Sequence, residues 1–183
     1  MDAHDGLALQ FEESRPHLRA VAHRILGSSS DAGDAVQKTW LRLSRADRGE
    51  IANLGGWLTT VVARVSLDTL RSRKSRREEV QGLHLVDTAG DGRAGVDPER
   101  EALRAESIGL ALLVVLDTLA PPERVAFVLH YMFGLPFDEI APVVGRTPTA
   151  TRQLASRGRR RVQGAATVAG HIVATSSHTT NTP

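Results

Sequence analysis

A chain of 183 residues with 41% apolar content can bury a core, as one ordinary domain or two small ones, and disorder throughout is excluded. With no cysteine there is neither a disulfide framework nor a thiolate zinc site, and the longest apolar run, 110–116, falls far short of the roughly 20 residues a membrane helix needs. The formal net charge is only +2, so total basicity does not announce a nucleic-acid partner and the placement of the charge becomes the informative quantity.

Met1 to Gln10 carries acids and no apolar centre of the signal-peptide kind, so a cytoplasmic protein is expected. Helical periodicity then recurs along the chain, while the alternation of a strand hardly appears. Leu18, Val21, Ala22 and Ile25 make a first apolar stripe, ending at Gly27 as a natural stop. Asp31 or a neighbouring serine can cap the next helix, whose inner side is Val36, Trp40 and Leu43. A third helix is predicted from about Gly55 toward Arg77, with Leu54, Leu58, Val61, Val62, Val65 and Thr69 at helical spacing. Its end carries a run of charge, with Arg71, Arg73, Lys74, Arg76 and Arg77 placing five cations in seven residues. Three helices complete a first domain.

From Val80 to about Pro98 the periodicity dissolves into a Gly- and Asp-rich stretch that reads as a flexible linker. Helicity resumes at Glu99, with Ile108, Ala111, Leu112, Val115 and Leu119 on one side. Pro121-Pro122-Glu123 opens a further helix that buries Val125, Val128, Leu129 and Met132.

The stretch from Phe137 to Val162 reads as a helix-turn-helix. Phe137, Ile140, Ala141 and Val144 fall at i, i+3, i+4 and i+7, Gly145 supplies the turn, and Thr147 with Pro148 opens a second helix. Small Ala141 lets the two helices cross closely, and Leu154 is expected to plug the inside of the second. Arg152, Arg157, Arg159, Arg160 and Arg161 follow on that helix, the geometry of a recognition helix in a major groove. Arginine outnumbers lysine 21 to 2; a guanidinium fork suits phosphate and guanine edges, although the codon usage of a GC-rich genome gives the same excess. Beyond Gly164 the tail, 164–183, is small and polar and is expected to fray or be disordered. No internal repeat is present.

Enzyme chemistry finds no support. His4, His17, His23, His84, His130, His171 and His178 are scattered without metal-ligand spacing, and neither a Gly-rich phosphate loop nor a nucleophile motif occurs. No catalytic residue, cofactor or metal is expected.

Both halves resemble a bacterial RNA polymerase sigma factor of the small extracytoplasmic-function group, over about residues 8 to 163. Asp31-Ala32-Gly33-Asp34-Ala35-Val36-Gln37-Lys38-Thr39-Trp40 stands where the family carries the acidic helix of region 2. Trp57-Leu58-Thr59-Thr60-Val61-Val62-Ala63-Arg64, with Asp68-Thr69-Leu70-Arg71-Ser72-Arg73 following, resembles the rest of that region. Leu116-Asp117-Thr118-Leu119-Ala120-Pro121-Pro122-Glu123-Arg124 onward to Arg161 resembles region 4. Two matches in this order, separated by a linker, are far more specific than either alone. The chain also resembles members with a SnoaL-like C-terminal extension, for which 164–183 is too short.

The resemblance implies an all-α fold of two small helical domains: a region 2 bundle over 8–78, a flexible linker over 79–98 and a region 4 helix-turn-helix over 99–163. It implies core RNA polymerase, duplex promoter DNA and the melted non-template strand as partners, an anti-sigma factor as a further candidate, and no membrane. Asp34, Gln37, Lys38 and Leu41 would dock on polymerase, Lys38 standing where the family has an acid. Asn53, Trp57, Arg64, Asp68, Arg71, Arg73 and Lys74 would meet the minus-10 element, although Trp57 equally suits the core. Val65 replaces an asparagine of the family, which makes the loop from Ser44 to Gly56, with Asn53, the better-placed base reader. Arg146, Arg152, Gln153, Ser156, Arg157 and Arg160 would meet the minus-35 element. Arg or Gln can make bidentate base contacts worth about 1–3 kcal/mol of discrimination each. Arg146, Arg159, Arg160 and Arg161 suit phosphates. Three departures stand out in this half: Thr151 at an apolar position, Gly158 inside the recognition helix and Pro142 inside the helix before it. The competing readings are a helix-turn-helix regulator acting without polymerase, and a degenerate sigma paralogue that acts by sequestration.

Overall fold

A computed structural model describes residues 3–81 and 112–176, with the side chains of 6–47, 49–79 and 112–165. All regular structure among the described residues is helical. Helix α1 spans Ala3–Leu26 and stops where Gly27 turns left-handed at φ 71°, a conformation that costs glycine little. Ser28, rather than Asp31, caps α2 (Ser29–Leu43): its hydroxyl accepts the Asp31 N–H at 3.2 Å. Asn53 caps the start of α3 (Leu54–Gln81), accepting the Gly56 N–H at 3.1 Å. α3 therefore runs four residues past the end expected at Arg77.

These three helices bury Phe11, Leu18, Ile25, Val36, Leu43, Leu58, Val62 and Leu67 among themselves. Trp40 is half-buried and meets Phe11 with ring centroids 5.0 Å apart. Burying one aliphatic side chain of this size is worth about 1.5–3 kcal/mol, so the stripes read from periodicity hold this bundle together.

In the second half, 112–117 form the described part of α4. α5 (Pro121–Phe127) follows and continues through one π turn, Val128–Met132. Val125, Val128 and Leu129 are fully buried while Met132 is half-buried, close to the expected set. α6 (Phe137–Val144) ends on Gly145 at φ 68°, with the Arg146 N–H returning to the Ala141 carbonyl at 3.1 Å. Thr147 then caps α7 (Pro148–Ser176), its hydroxyl accepting the Ala150 N–H at 3.2 Å. α7 continues to Ser176, through Gly164 and the segment expected to fray, because nothing in Ala165-Ala166-Thr167-Val168-Ala169 stops a helix. The linker over 82–98, and Ile108 and Ala111 of the expected fourth helix, lie outside the described residues.

The two halves are packed on each other, an arrangement not implied by a flexible linker. α3 lies against α5 and α6, α1 lies against the π turn, and the buried residues of both halves form one contiguous cluster. At this seam the His17 ring meets Phe133 edge-on at 5.7 Å and its Nε2 lies 3.3 Å from the Thr59 hydroxyl.

Candidate nucleic-acid interface

The helix-turn-helix is built as its spacing requires, with one exchange of roles. Ile140, Ala141, Val143 and Val144 are buried on α6, and α7 answers with Thr151, Ala155 and Gly158 rather than with Leu154, which is only half-buried. Positions 151, 155 and 158 follow the i, i+4, i+7 stripe of small residues, which lets α7 lie close to its neighbours, α5 included. Thr151 is fully buried at no polar cost, since its hydroxyl donates to the Thr147 carbonyl at 2.9 Å. Gly158 is a packing requirement: a Cβ there would stand 3.1 Å from Phe127 Cβ and 3.4 Å from the Glu123 carbonyl. Pro142 sits on the exposed side of α6.

On the outside of this unit Arg146, Arg152, Gln153, Arg157 and Arg160 are exposed and Ser156 is half-buried, all on the turn and one flank of α7. The Arg152 guanidinium lies over the Phe137 ring at 5.4 Å, and that of Arg159 over Tyr131 at 5.5 Å, contacts that restrict both side chains. Arg157 Nε also lies 3.9 Å from the buried Glu123 Oε1, and Arg161 goes further. It folds back, with Nη1 3.4 Å from the Thr118 carbonyl and 3.3 Å from Glu123 Oε2.

On α3, Arg64, Asp68 and Arg71 follow one another at helical spacing on an exposed face, with Lys74 exposed beyond them. Trp57 is half-buried against the core, so its ring serves packing as well as any surface role. Arg64 donates to the Pro142 carbonyl at 3.3 Å, which ties this face to α6. Arg73 turns inward: Nη1 donates to the Leu26 carbonyl at 3.1 Å and Nη2 pairs with Asp31. It serves the end of α1, where a cation complements the helix dipole, and is not grouped with the outward arginines. Asn53 is exposed and its side chain is occupied as a cap.

A third exposed face lies on α2. Asp34, Gln37, Lys38 and Leu41 recur at i, i+3, i+4 and i+7 and all are exposed; Leu41, at 46%, is an apolar side chain left in solvent. Periodicity missed a buried polar group at the start of α5: Glu123 and Arg124 are nearly inaccessible, and Arg124 pairs through Nη1 with Asp117. The only signal was two charges directly after Pro121-Pro122, in a helix whose other inner positions are apolar.

An all-helical pair of units with a helix-turn-helix and exposed basic faces is an arrangement of the kind that suits duplex DNA. Comparison with known families narrows this: sigma-70 region 2 matches residues 10–76 and sigma-70 region 4 matches residues 109–162. The chain belongs to the sigma-70 family, in its extracytoplasmic-function group. It is 46% identical over 153 residues to the ECF RNA polymerase sigma factor SigJ of Mycobacterium tuberculosis, covering 84% of this chain and 49% of that protein. It is 38% identical over 162 residues to the probable ECF sigma factor SigI of the same species, covering 88% and 56%. The chain thus spans about half the length of these relatives. The crystal structure of SigJ superposes with a TM-score of 0.58 at 38% identity, over 85% of this chain and 52% of that one. The sigma factor RpoE of Bartonella quintana, solved with the anti-sigma factor NepR, shares the fold at TM-score 0.60 and 21% identity, covering 89% and 98%. Among the described residues no helix is long and apolar enough to cross a membrane.

Proposed function

We propose that this chain directs core RNA polymerase to specific promoters and assists promoter melting, in the cytoplasm and without a catalytic step of its own. The observation that carries the proposal is three separate exposed faces, on α2, α3 and α7, arranged on a sigma-70 frame. The α2 face, with Asp34 as acceptor, Gln37 as a neutral hydrogen-bonding fork and Leu41 as apolar contact, takes the polymerase. Lys38 reverses one charge of that surface. Arg64, Asp68, Arg71 and Lys74, with Asn53 and Trp57 at the start of α3, face the minus-10 element. Strand opening is driven there by binding energy, as bases leaving the stack are captured and their phosphates held. Arg152, Gln153, Ser156 and Arg157 read duplex minus-35 DNA, and Arg146 and Arg160 hold its backbone. The domain limits proposed are 8–78 and 99–163, with a linker between; an anti-sigma factor is a further proposed partner.

Function on this reading requires the halves to part. Boxes roughly 25 base pairs apart are separated by about 85 Å at ~3.4 Å per step, whereas a compact 183-residue body has a radius of gyration of about 16 Å. The Arg64 to Pro142 contact and the His17–Phe133 seam belong to the free, closed chain.

The test is run-off transcription with purified core polymerase on a library of genomic promoter fragments. Discrete transcripts dependent on this chain are expected. Sequence-specific binding to a palindrome without polymerase would favour a stand-alone regulator, and polymerase binding without any transcript would favour sequestration.

A further inference from the structure

Between the two halves lies a cavity of about 350 Å³, lined by Leu70, Arg73, Lys74 and Arg77 of α3, by 117–121 and Arg124, and by Arg161 of α7. Five of these side chains are cationic and one, Asp117, is anionic. Neighbouring carboxylates answer part of that charge. Asp31 takes Arg73, Glu78 lies 3.8 Å from Lys74, and Glu123 lies 3.3 Å from Arg161.

Two groups are left over. Arg77 is exposed and pairs with none of the described carboxylates. Arg124 is 3% exposed, its Nη1 is held by Asp117, and among the described residues its Nε and Nη2 have no hydrogen-bond partner. A guanidinium with two donors buried and unserved carries a desolvation penalty unless something accepts from it. Burial, followed by the charges of Arg124 and Arg77, also holds the Arg73 guanidinium below its ordinary value.

We propose that this seam is a binding site for a small phosphate-bearing anion, taken by Arg124, Arg77, Lys74 and Arg161. Phosphate fits the donor set, since guanidinium forks bind its oxygens in pairs and Lys74 adds a point charge. The cavity is large enough for a diphosphate group and part of what carries it. Because Arg124 is reached only between the halves, a small ligand suits the site better than the backbone of a duplex. Such an anion joins α3 to α5 and α7 and favours the closed chain. That last consequence for transcription rests on the sigma-factor reading; the site itself does not.

The experiment is calorimetric titration of the full chain with inorganic pyrophosphate at fixed ionic strength, alongside thermal melting. Saturable binding and a raised melting midpoint are expected. Arg77→Ala and Lys74→Ala should each weaken binding about tenfold, as loss of a charge-assisted hydrogen bond does. Arg124→Gln should abolish it; the two exposed variants carry the test if that protein fails to fold. Arg152→Ala, on the outer flank of α7, should leave pyrophosphate binding unchanged. Absence of saturable binding, or equal weakening by Arg152→Ala, would each overturn the proposal.

Discussion

The two long basic helices, α3 and α7, carry similar runs of arginine on opposite kinds of foundation. α3 lies on large aliphatic side chains, with Leu58, Val61, Val62, Val65, Leu67 and Leu70 all buried, and its stability comes from the volume those residues remove from water. α7 meets its neighbours through Thr151, Ala155 and Gly158, where close approach takes the place of bulk. Both helices also turn arginines of the run into the structure, Arg73 to the end of α1, Arg161 to Thr118 and Glu123, and Arg157 to within 3.9 Å of the same Glu123. A count of cations in sequence therefore overstates the charge presented to DNA, and equal changes on the two helices should have unequal effects.

The largest effect is expected under α3. Leu58→Ala removes a fully buried side chain and should cost about 2–5 kcal/mol in chemical denaturation, by lost transfer energy and a residual cavity. On α7 the sign of an ordinary rule should invert. Glycine to alanine inside an exposed helix gains about 1 kcal/mol, yet Gly158→Ala sets a methyl 3.1 Å from Phe127 Cβ and should instead lose about 1 kcal/mol. A gain on that substitution would show that α5 and α7 are not held at this distance.

Function sharpens the same contrast. If about eight phosphates are engaged by the two basic faces, the log–log salt slope of promoter affinity is near −7 on duplex DNA, and a nearly salt-independent affinity would contradict the reading. Arg160→Ala should reduce that slope by about 1 and leave the melting midpoint alone, whereas Arg161→Ala should do the reverse. Arg71→Ala and Arg73→Ala form the matching pair on α3: the former affects open-complex formation, and the latter costs stability by freeing the Leu26 carbonyl and Asp31. The smallest effect belongs to Thr151→Val. It removes a hydroxyl whose acceptor already serves the Thr151 N–H, and should change stability by no more than about 0.5 kcal/mol.

Faces were legible in the sequence wherever periodicity and turn chemistry agreed. Phe137, Ile140, Ala141 and Val144, closed by Gly145 and reopened by Thr147-Pro148, carry the helix-turn-helix almost residue by residue. Periodicity says which side of a helix is inward, but not what it meets. Leu154 looked like the plug of α7 because it is the largest apolar residue there, while the contact selects the small stripe one position along. Gly158 likewise stood out only as a departure inside the recognition helix until its neighbour Phe127 was in place. The seam was beyond reach for a related reason. Arg64 and Pro142 are 78 residues apart, and no local pattern records that they meet. Arg124 was hidden because burial of a charge depends on Asp117 and on the partner half, not on its own helix.

The account turns on two exposed basic faces being brought to one promoter by polymerase. Fluorescence anisotropy of a labelled promoter fragment, titrated with this chain in the presence and absence of core enzyme, measures that directly. Tight, sequence-selective binding only with core present is predicted, lost when Asp34 and Gln37 on α2 are replaced by alanine. Equally selective binding by the chain alone, or no association with core at any salt concentration, would contradict it.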